Sequence, residues 1–169
     1  PETWLHMRVW PGSNGRHAMD VELLLRRHGM PFSTNVHPPT FSSHRLAAEA
    51  HTPGRNVAKS VLVRAGAAYV LCVVPANRRV DLDALARAMN VESVRLATEQ
   101  ELAQVFDDCE LGAQPPFGKP YGIPTVMDAS LRQDEYVVFQ AGSHTQAVKM
   151  LRADYERVAE PITAKITRD

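Results

Sequence analysis

Lys59 stands inside the apolar run Val57–Val63, between Ala58 and Ser60. An ammonium group there must reach solvent over a sheet face or be held at a polar site, because burial without a partner is costly. Strand alternation puts Lys59 on one face with Val57, Val61 and Val63. Two readings stay open: an outward position on a one-sided sheet, or a fixed positive charge pointing into a cleft. An outward lysine would carry three valines outward with it, which speaks for the cleft.

A second stretch is Gly112-Ala113-Gln114-Pro115-Pro116-Phe117-Gly118. Its prolines stiffen the chain and remove their own N–H groups. Its glycines permit turns and close approach of a ligand. Such a loop is either a plain surface turn or a rigid holder of backbone amides of the kind that steadies a developing oxyanion. The third stretch is Ala141-Gly142-Ser143-His144-Thr145. A histidine beside a glycine turn at a strand end serves as general base or hydrogen-bond donor, or merely as a cap. No GxSxG elbow, HExxH, Walker loop or GxGxxG occurs. His44 and His51, seven apart, are too few to argue a metal, and no clustered Cys/His spacing supports zinc. No metal and no cofactor is expected.

The elements that must position these residues follow from periodicity and punctuation. Asp20 caps a predicted helix with Val21, Leu24 and Leu25 on one side, Arg26 to His28 at its end and Gly29 as its stop. Phe32–Val36 reads as a strand, Arg45–His51 as an Ala-rich helix and Thr52-Pro53-Gly54 as a turn. Val57–Val74, broken at Gly66, predicts a hairpin of two long central strands. Leu82, Leu85, Ala86 and Met89 predict a helix begun at Asp81, and Val94–Leu96 a short strand. Thr98 and Glu101 have capping-box spacing before a helix ending near Phe106. A loop is expected over 112–122, strands over Pro124–Met127 and Tyr136–Gln140, and a helical or mixed segment over Thr145–Val158. Strands that follow one another directly exclude a clean βαβ alternation. The fold class expected is α+β, with a mixed, largely antiparallel sheet.

The chain has 169 residues, 44% hydrophobic and 22% charged, which fits one ordinary globular domain over 19–169. Pro1–Ala18 lacks periodicity and a secretory-signal pattern, and reads as an extension or flexible arm. The most apolar stretch, Ala65–Pro75, is about half of what a bilayer span needs. Two cysteines make no disulfide framework: Cys72 reads as a buried free thiol and Cys109 as at least partly exposed, consistent with a reducing, cytoplasmic setting. Net charge is zero, yet residues 1–64 carry 8 Lys/Arg against 4 Asp/Glu and the rest 11 against 15. A bulk polyanion binder is excluded, but a local basic face that touches a few phosphates is not.

Taken in order, three stretches resemble the YbaK/ProX family of aminoacyl-tRNA editing domains. They are His51-Thr52-Pro53-Gly54-Arg55-Asn56-Val57-Ala58-Lys59, the segment Gly112–Gly118 with Tyr121-Gly122-Ile123-Pro124, and Ala141–Thr145. The resemblance runs from Met19 to Ile166. It implies a compact domain with a curved mixed sheet flanked by helices. It also implies a trans-acting deacylase that hydrolyses the ester between a small, wrong amino acid and the acceptor end of tRNA. Lys59 matches the family's functional lysine, Gly112–Pro116 its Gly-xxx-Pro loop, and His144 its Gly-x-His turn. The catalytic set so implied is Lys59, Gly112 and His144. Ser60, Ala113, Gln114, Pro115, Pro116, Phe117, Gly118, Gly142 and Ser143 would bind substrate. The loop departs from the Gly-Gly-Cys-Ser-Pro of the cysteine-removing member, and Ser60 replaces the asparagine of alanine-specific ones. The general branch with a Pro-Pro-Phe-Gly loop is the better likeness.

An aminoacyl ester is already activated, so bound water and rigid donors suffice to hydrolyse it. An unshifted lysine, with a pKa of about 10.4, stays protonated and anchors charge rather than acting as base. Water activation is left to the substrate's own ribose hydroxyl or amine, or to His144. The competing readings are a module that kept the fold to bind a tRNA end, nucleotide or protein partner without turnover, and a hydrolase of some other small ester or amide.

Overall fold

The computed structural model describes residues 20–37 and 56–169. The arm, the Arg45–His51 helix, the Thr52–Gly54 turn and the His44/His51 pair lie outside the described residues.

The hairpin is the centre of the molecule. β2 (Ala58–Ala65) and β3 (Ala68–Pro75) pair antiparallel, with Lys59 opposite Val74 and Ser60 opposite Val73. Gly66 makes the tight turn at φ +62°, a conformation that costs glycine little. β1 (Ser33–Val36) precedes this hairpin in the chain, and β4 (Arg79–Val80) and β5 (Arg95–Leu96) follow it. β6 (Thr125–Asp128), β7 (Tyr136–Gln140), β8 (Gln146–Leu151), β9 (Ile162–Ala164) and β10 (Thr167–Arg168) complete the strands.

The strands form three ladders: β5-β2-β3-β6-β9, β1-β8-β7 and β10-β4. Only β3–β6 and β6–β9 run parallel, so the mixed, largely antiparallel character expected from sequence is present. The 145–158 segment divides: β8 pairs on both sides, between β1 and β7, and a helix starts only at Arg152.

Four helices flank these ladders among the described residues. α1 (Val21–Arg27) is capped by the Asp20 carboxylate, which accepts from Leu23 N at 3.2 Å. α2 (Leu82–Met89) is capped by Asp81, which accepts from Ala84 N at 3.0 Å. α3 (Glu99–Val105) has the full Thr98/Glu101 capping box, and α4 (Arg152–Ala159) follows β8. The Glu101 carboxylate also holds Arg95 of β5 at 2.7 Å and the Tyr69 hydroxyl at 3.0 Å. The Arg95 hydrogen bond is the largest cause that lowers its pKa from 4.5 to about 2. A depressed carboxyl contributes stability in full above its unfolded pKa and loses it as pH falls through the folded one. Fraying of the α3 N-terminus is therefore expected between about pH 4.5 and 2, and absent in Glu101→Gln, as followed by amide exchange at Glu101 and Leu102.

The hairpin is buried on both faces. On one, Val63, Val70, Cys72 and Val74 meet Leu85 and Met89 of α2, with Ile166. On the other, Leu62 and Leu71 meet Phe106 and Ile123, and Ala58 and Val73 join Phe117, Phe139 and Tyr155. Lys59 lies on the α2 face by alternation and Ser60 on the other. Among the described residues no helix is long and apolar enough to cross a membrane.

Candidate active site

The outer edge of β2 receives three different partners in succession. Val57 makes a parallel bridge to Val138 of β7. Ser60 O accepts from Gln114 Nε2 at 2.7 Å, and Leu62 O accepts from Ala97 N at 3.0 Å next to β5. Carbonyls two residues apart on a strand point the same way. The Gln114 side chain thus fills the gap between β7 and β5, and fastens the Gly112–Gln114 segment one residue from Lys59.

The far side of this segment is tied to the 142–144 turn. Gly142 N donates to Ala113 O and Glu110 N to Gly142 O, each at 2.9 Å. His144 N donates to Glu110 Oε2 at 2.8 Å, and its Nε2 lies 2.7 Å from Leu111 O. A carbonyl only accepts, so Nε2 carries the hydrogen. Gly112 adopts φ +85° and a side chain there would come against the His144 ring. Within the loop, Ala113 N donates to Glu110 O, Phe117 N to Pro115 O and Gly118 N to Thr125 Oγ1. The amides of Gly112 and Gln114 have no protein acceptor among the described residues. They are two unspent donors, two residues apart, on a fastened backbone.

Lys59 reaches a separate acceptor. Its Nζ donates to Ala76 O at 3.4 Å, and the ammonium is half-buried without a carboxylate at ion-pair distance among the described residues. Burial first, and the Arg79 guanidinium second, lower its pKa from 10.5. The loop and the lysine therefore approach the start of β2 from its edge and from its α2 face, respectively. The cavity of about 180 Å³ that the loop forms with α3 is lined by Leu102, Phe106, Cys109, Glu110, Gly112 and Gln114 among others, and neither Lys59 nor His144 contributes to its wall.

The rest of the expected binding stretch is an anchor. Gly112 is exposed, while 113–118 are buried. Pro116 O accepts from the buried Tyr155 hydroxyl at 2.7 Å. The Phe117 ring is edge-on to Phe139 and Tyr155, with centroids at 5.6 and 5.3 Å. Its side chain is spent on the core, because a proline-stiffened loop needs a large apolar foot to hold it down. Gly118 packs so tightly that an added Cβ would collide with Ile123 O and lie 2.7 Å from Thr125 Oγ1. Gly118→Ala should cost about 1–3 kcal/mol by overpacking, read as a lower denaturant midpoint at unchanged slope. Ser143 Oγ lies 3.2 Å from Thr145 Oγ1, a contact local to its own turn.

Glu110 and Tyr155 escaped the sequence reading, since neither belongs to a recognisable pattern around the loop. Burial pushes the Cys72 and Cys109 thiols up to about 12, which disfavours their thiolate forms at neutral pH. Among the described residues no three His, Cys, Asp or Glu side chains converge as a metal site.

An α+β domain with a proline-braced loop fastened to the edge of its central hairpin is the class that fold and site define. The chain belongs to the aminoacyl-tRNA editing domain family, whose sequence profile matches residues 37–158. It is 34% identical over 95 residues to the multifunctional Ser/Thr-tRNA deacylase ProXp-y of Escherichia coli K12, and equally to that of strain O157:H7. That match covers 55% of this chain and 56% of the relative, so the chain spans about half the length of the curated relatives it matches. Among solved structures, hypothetical protein APE2540 superposes with TM-score 0.81 at 19% identity, covering 88% of this chain and 99% of that one. A proposed trans-editing enzyme for prolyl tRNA synthetase superposes with TM-score 0.78 at 18% identity, covering 88% and 95%. These likenesses establish the fold.

Proposed function

We propose that this protein hydrolyses the ester bond of mischarged aminoacyl-tRNA in trans, releasing a small amino acid. The observation that carries the reading is the pair of unspent amides at Gly112 and Gln114, fastened through Gln114 to Ser60 O, the residue that follows Lys59 in β2. Water adds to the ester carbonyl, and the charge that grows on its oxygen is met by amides that need no reorganisation. The C–O bond to the ribose then breaks and the ribose oxygen takes a proton, leaving free amino acid and tRNA. Preorganised donors of this kind are commonly worth about 10²–10³ in rate each.

His144 has committed Nε2 to Leu111 O, so only Nδ1 could take a proton from water. The substrate's free ribose hydroxyl is the other candidate for this step. Phosphate and ribose are what the Lys59 ammonium would meet. Selectivity for small side chains follows from exclusion, since one methylene is worth only about 1–3 kcal/mol in an apolar pocket.

The test is a panel of mischarged tRNAs incubated with the purified protein, with seryl and threonyl esters included because the ProXp-y relatives are named for them. Release of at least one small amino acid is expected. An unchanged panel would refute the reading, and turnover of simple esters without tRNA would move it to another substrate class.

A further inference from the structure

β4 and β10 form a ladder of their own, in which Arg79 stands directly opposite Arg168 and Val80 opposite Thr167. Directly opposed like charges destabilise a strand pair. Both arginines are exposed, and neither has a carboxylate at ion-pair distance among the described residues. The acids nearest in sequence are otherwise engaged. Asp81 caps α2, and Asp169 stands 3.9 Å from Arg78 in the turn that leads into β4.

The ladder also adjoins the candidate site. Arg78 N donates to Pro75 O, closing the turn between β3 and β4, and the Ala76 carbonyl within that turn is the acceptor of Lys59 Nζ. Arg79 is near enough to be felt by the Lys59 ammonium. Lys59, Arg79 and Arg168 thus form a basic strip that leads outward from β2 on a chain of zero net charge. A local rule broken without compensation among the described residues points to compensation from outside the protein.

We infer that the Arg79–Arg168 pair is a docking track for the phosphodiester backbone of the RNA substrate, next to the nucleotide whose ester is placed near Lys59. The inference rests on the tRNA reading above and adds to it the surface that receives the strand. Guanidinium groups suit this task, since each presents a planar fork of donors to phosphate oxygens.

The experiment titrates the 169-residue chain with an uncharged RNA hairpin ending in a single-stranded 3′ overhang, at several salt concentrations. Each phosphate contact contributes about 0.7–0.9 to the slope of log K against log salt. Arg79→Gln with Arg168→Gln should lower that slope by about 1.4–1.8 and weaken binding about 10- to 30-fold near 0.15 M salt. Arg157→Gln, on the exposed side of α4, controls for loss of charge alone and should change neither. Lysine at both positions should restore the slope. Thermal melting of each variant separates lost contact from lost fold.

Equal slopes in wild type and double variant would overturn the inference, as would a wild type that does not bind the hairpin. Capture by anionic phosphatidylserine vesicles but not by RNA would overturn it too. Because the RNA carries no amino acid, a chain that binds through the pair yet hydrolyses nothing would support this surface and refute the deacylase reading separately.

Discussion

Lys59→Ala should cut kcat/KM for deacylation about 10²–10³-fold, the usual consequence of removing one preorganised charge-stabilising group. The same substitution should not cost folding stability in the ordinary way. Its ammonium is half-buried, its sole hydrogen bond among the described residues is a 3.4 Å contact to Ala76 O, and Arg79 repels it. Its pKa is lowered in the folded chain, chiefly by burial. The sign follows by linkage. Between the lowered folded pKa and the unfolded one, the unfolded state binds more protons, so stability rises with pH in that window. At neutral pH the charged form is the disfavoured one, and folding carries that penalty. Lys59→Met, which keeps the stem and drops the charge, should melt at or above the wild-type temperature while losing the activity. Its stability should also lose the alkaline rise that the wild type shows below pH 10.5. A Lys59→Met chain that melts well below the wild type, or one that still deacylates at the wild-type rate, would show that the amine serves the fold rather than the chemistry.

The second large effect belongs to the loop's foot. Phe117 is 1% exposed and packs against Phe139 and Tyr155. Phe117→Ala removes this ring from a site with little freedom to collapse, since prolines precede it and a glycine wedged under Ile123 O follows. The expected loss is about 3–5 kcal/mol. For a chain of this size that is a fall in melting temperature of about 10 °C or more. Activity should fall further than the unfolded fraction explains, because the amides of Gly112 and Gln114 lose their fixed place at the edge of β2. Tyr155→Phe is the gentler probe: it leaves the ring and strands Pro116 O, at about 1–3 kcal/mol. A Phe117→Ala chain with near-normal melting would mean that the loop is held by the Gln114 and Gly142 hydrogen bonds alone.

Both predictions turn on one division of labour. On the proposed reading the amides of Gly112 and Gln114 serve the chemistry, and Pro116 to Gly118 hold them in place through Tyr155, Phe139 and Thr125. The resemblance to the editing family assigned the whole stretch to substrate. The core contacts of Pro116 and Phe117 set that part of it apart, because a loop that must present amides rigidly has to sink part of itself into the core.

Much of this was open to reading along the chain, because it is local. The β2–β3 hairpin follows from alternation broken at one glycine, and α1, α2 and α3 from caps three residues from the amides they bind. The family followed from three short motifs in order. What only the tertiary structure decided are contacts between distant residues: Gln114 on Ser60, 54 residues away; His144 on Leu111, 33 away; Tyr155 on Pro116, 39 away. The opposition of Arg79 and Arg168 is of the same kind. Periodicity and capping act over one or two turns of backbone, so they fix which face a residue takes. Which distant face it meets depends on how the ladders pack, and no spacing within a single segment encodes that.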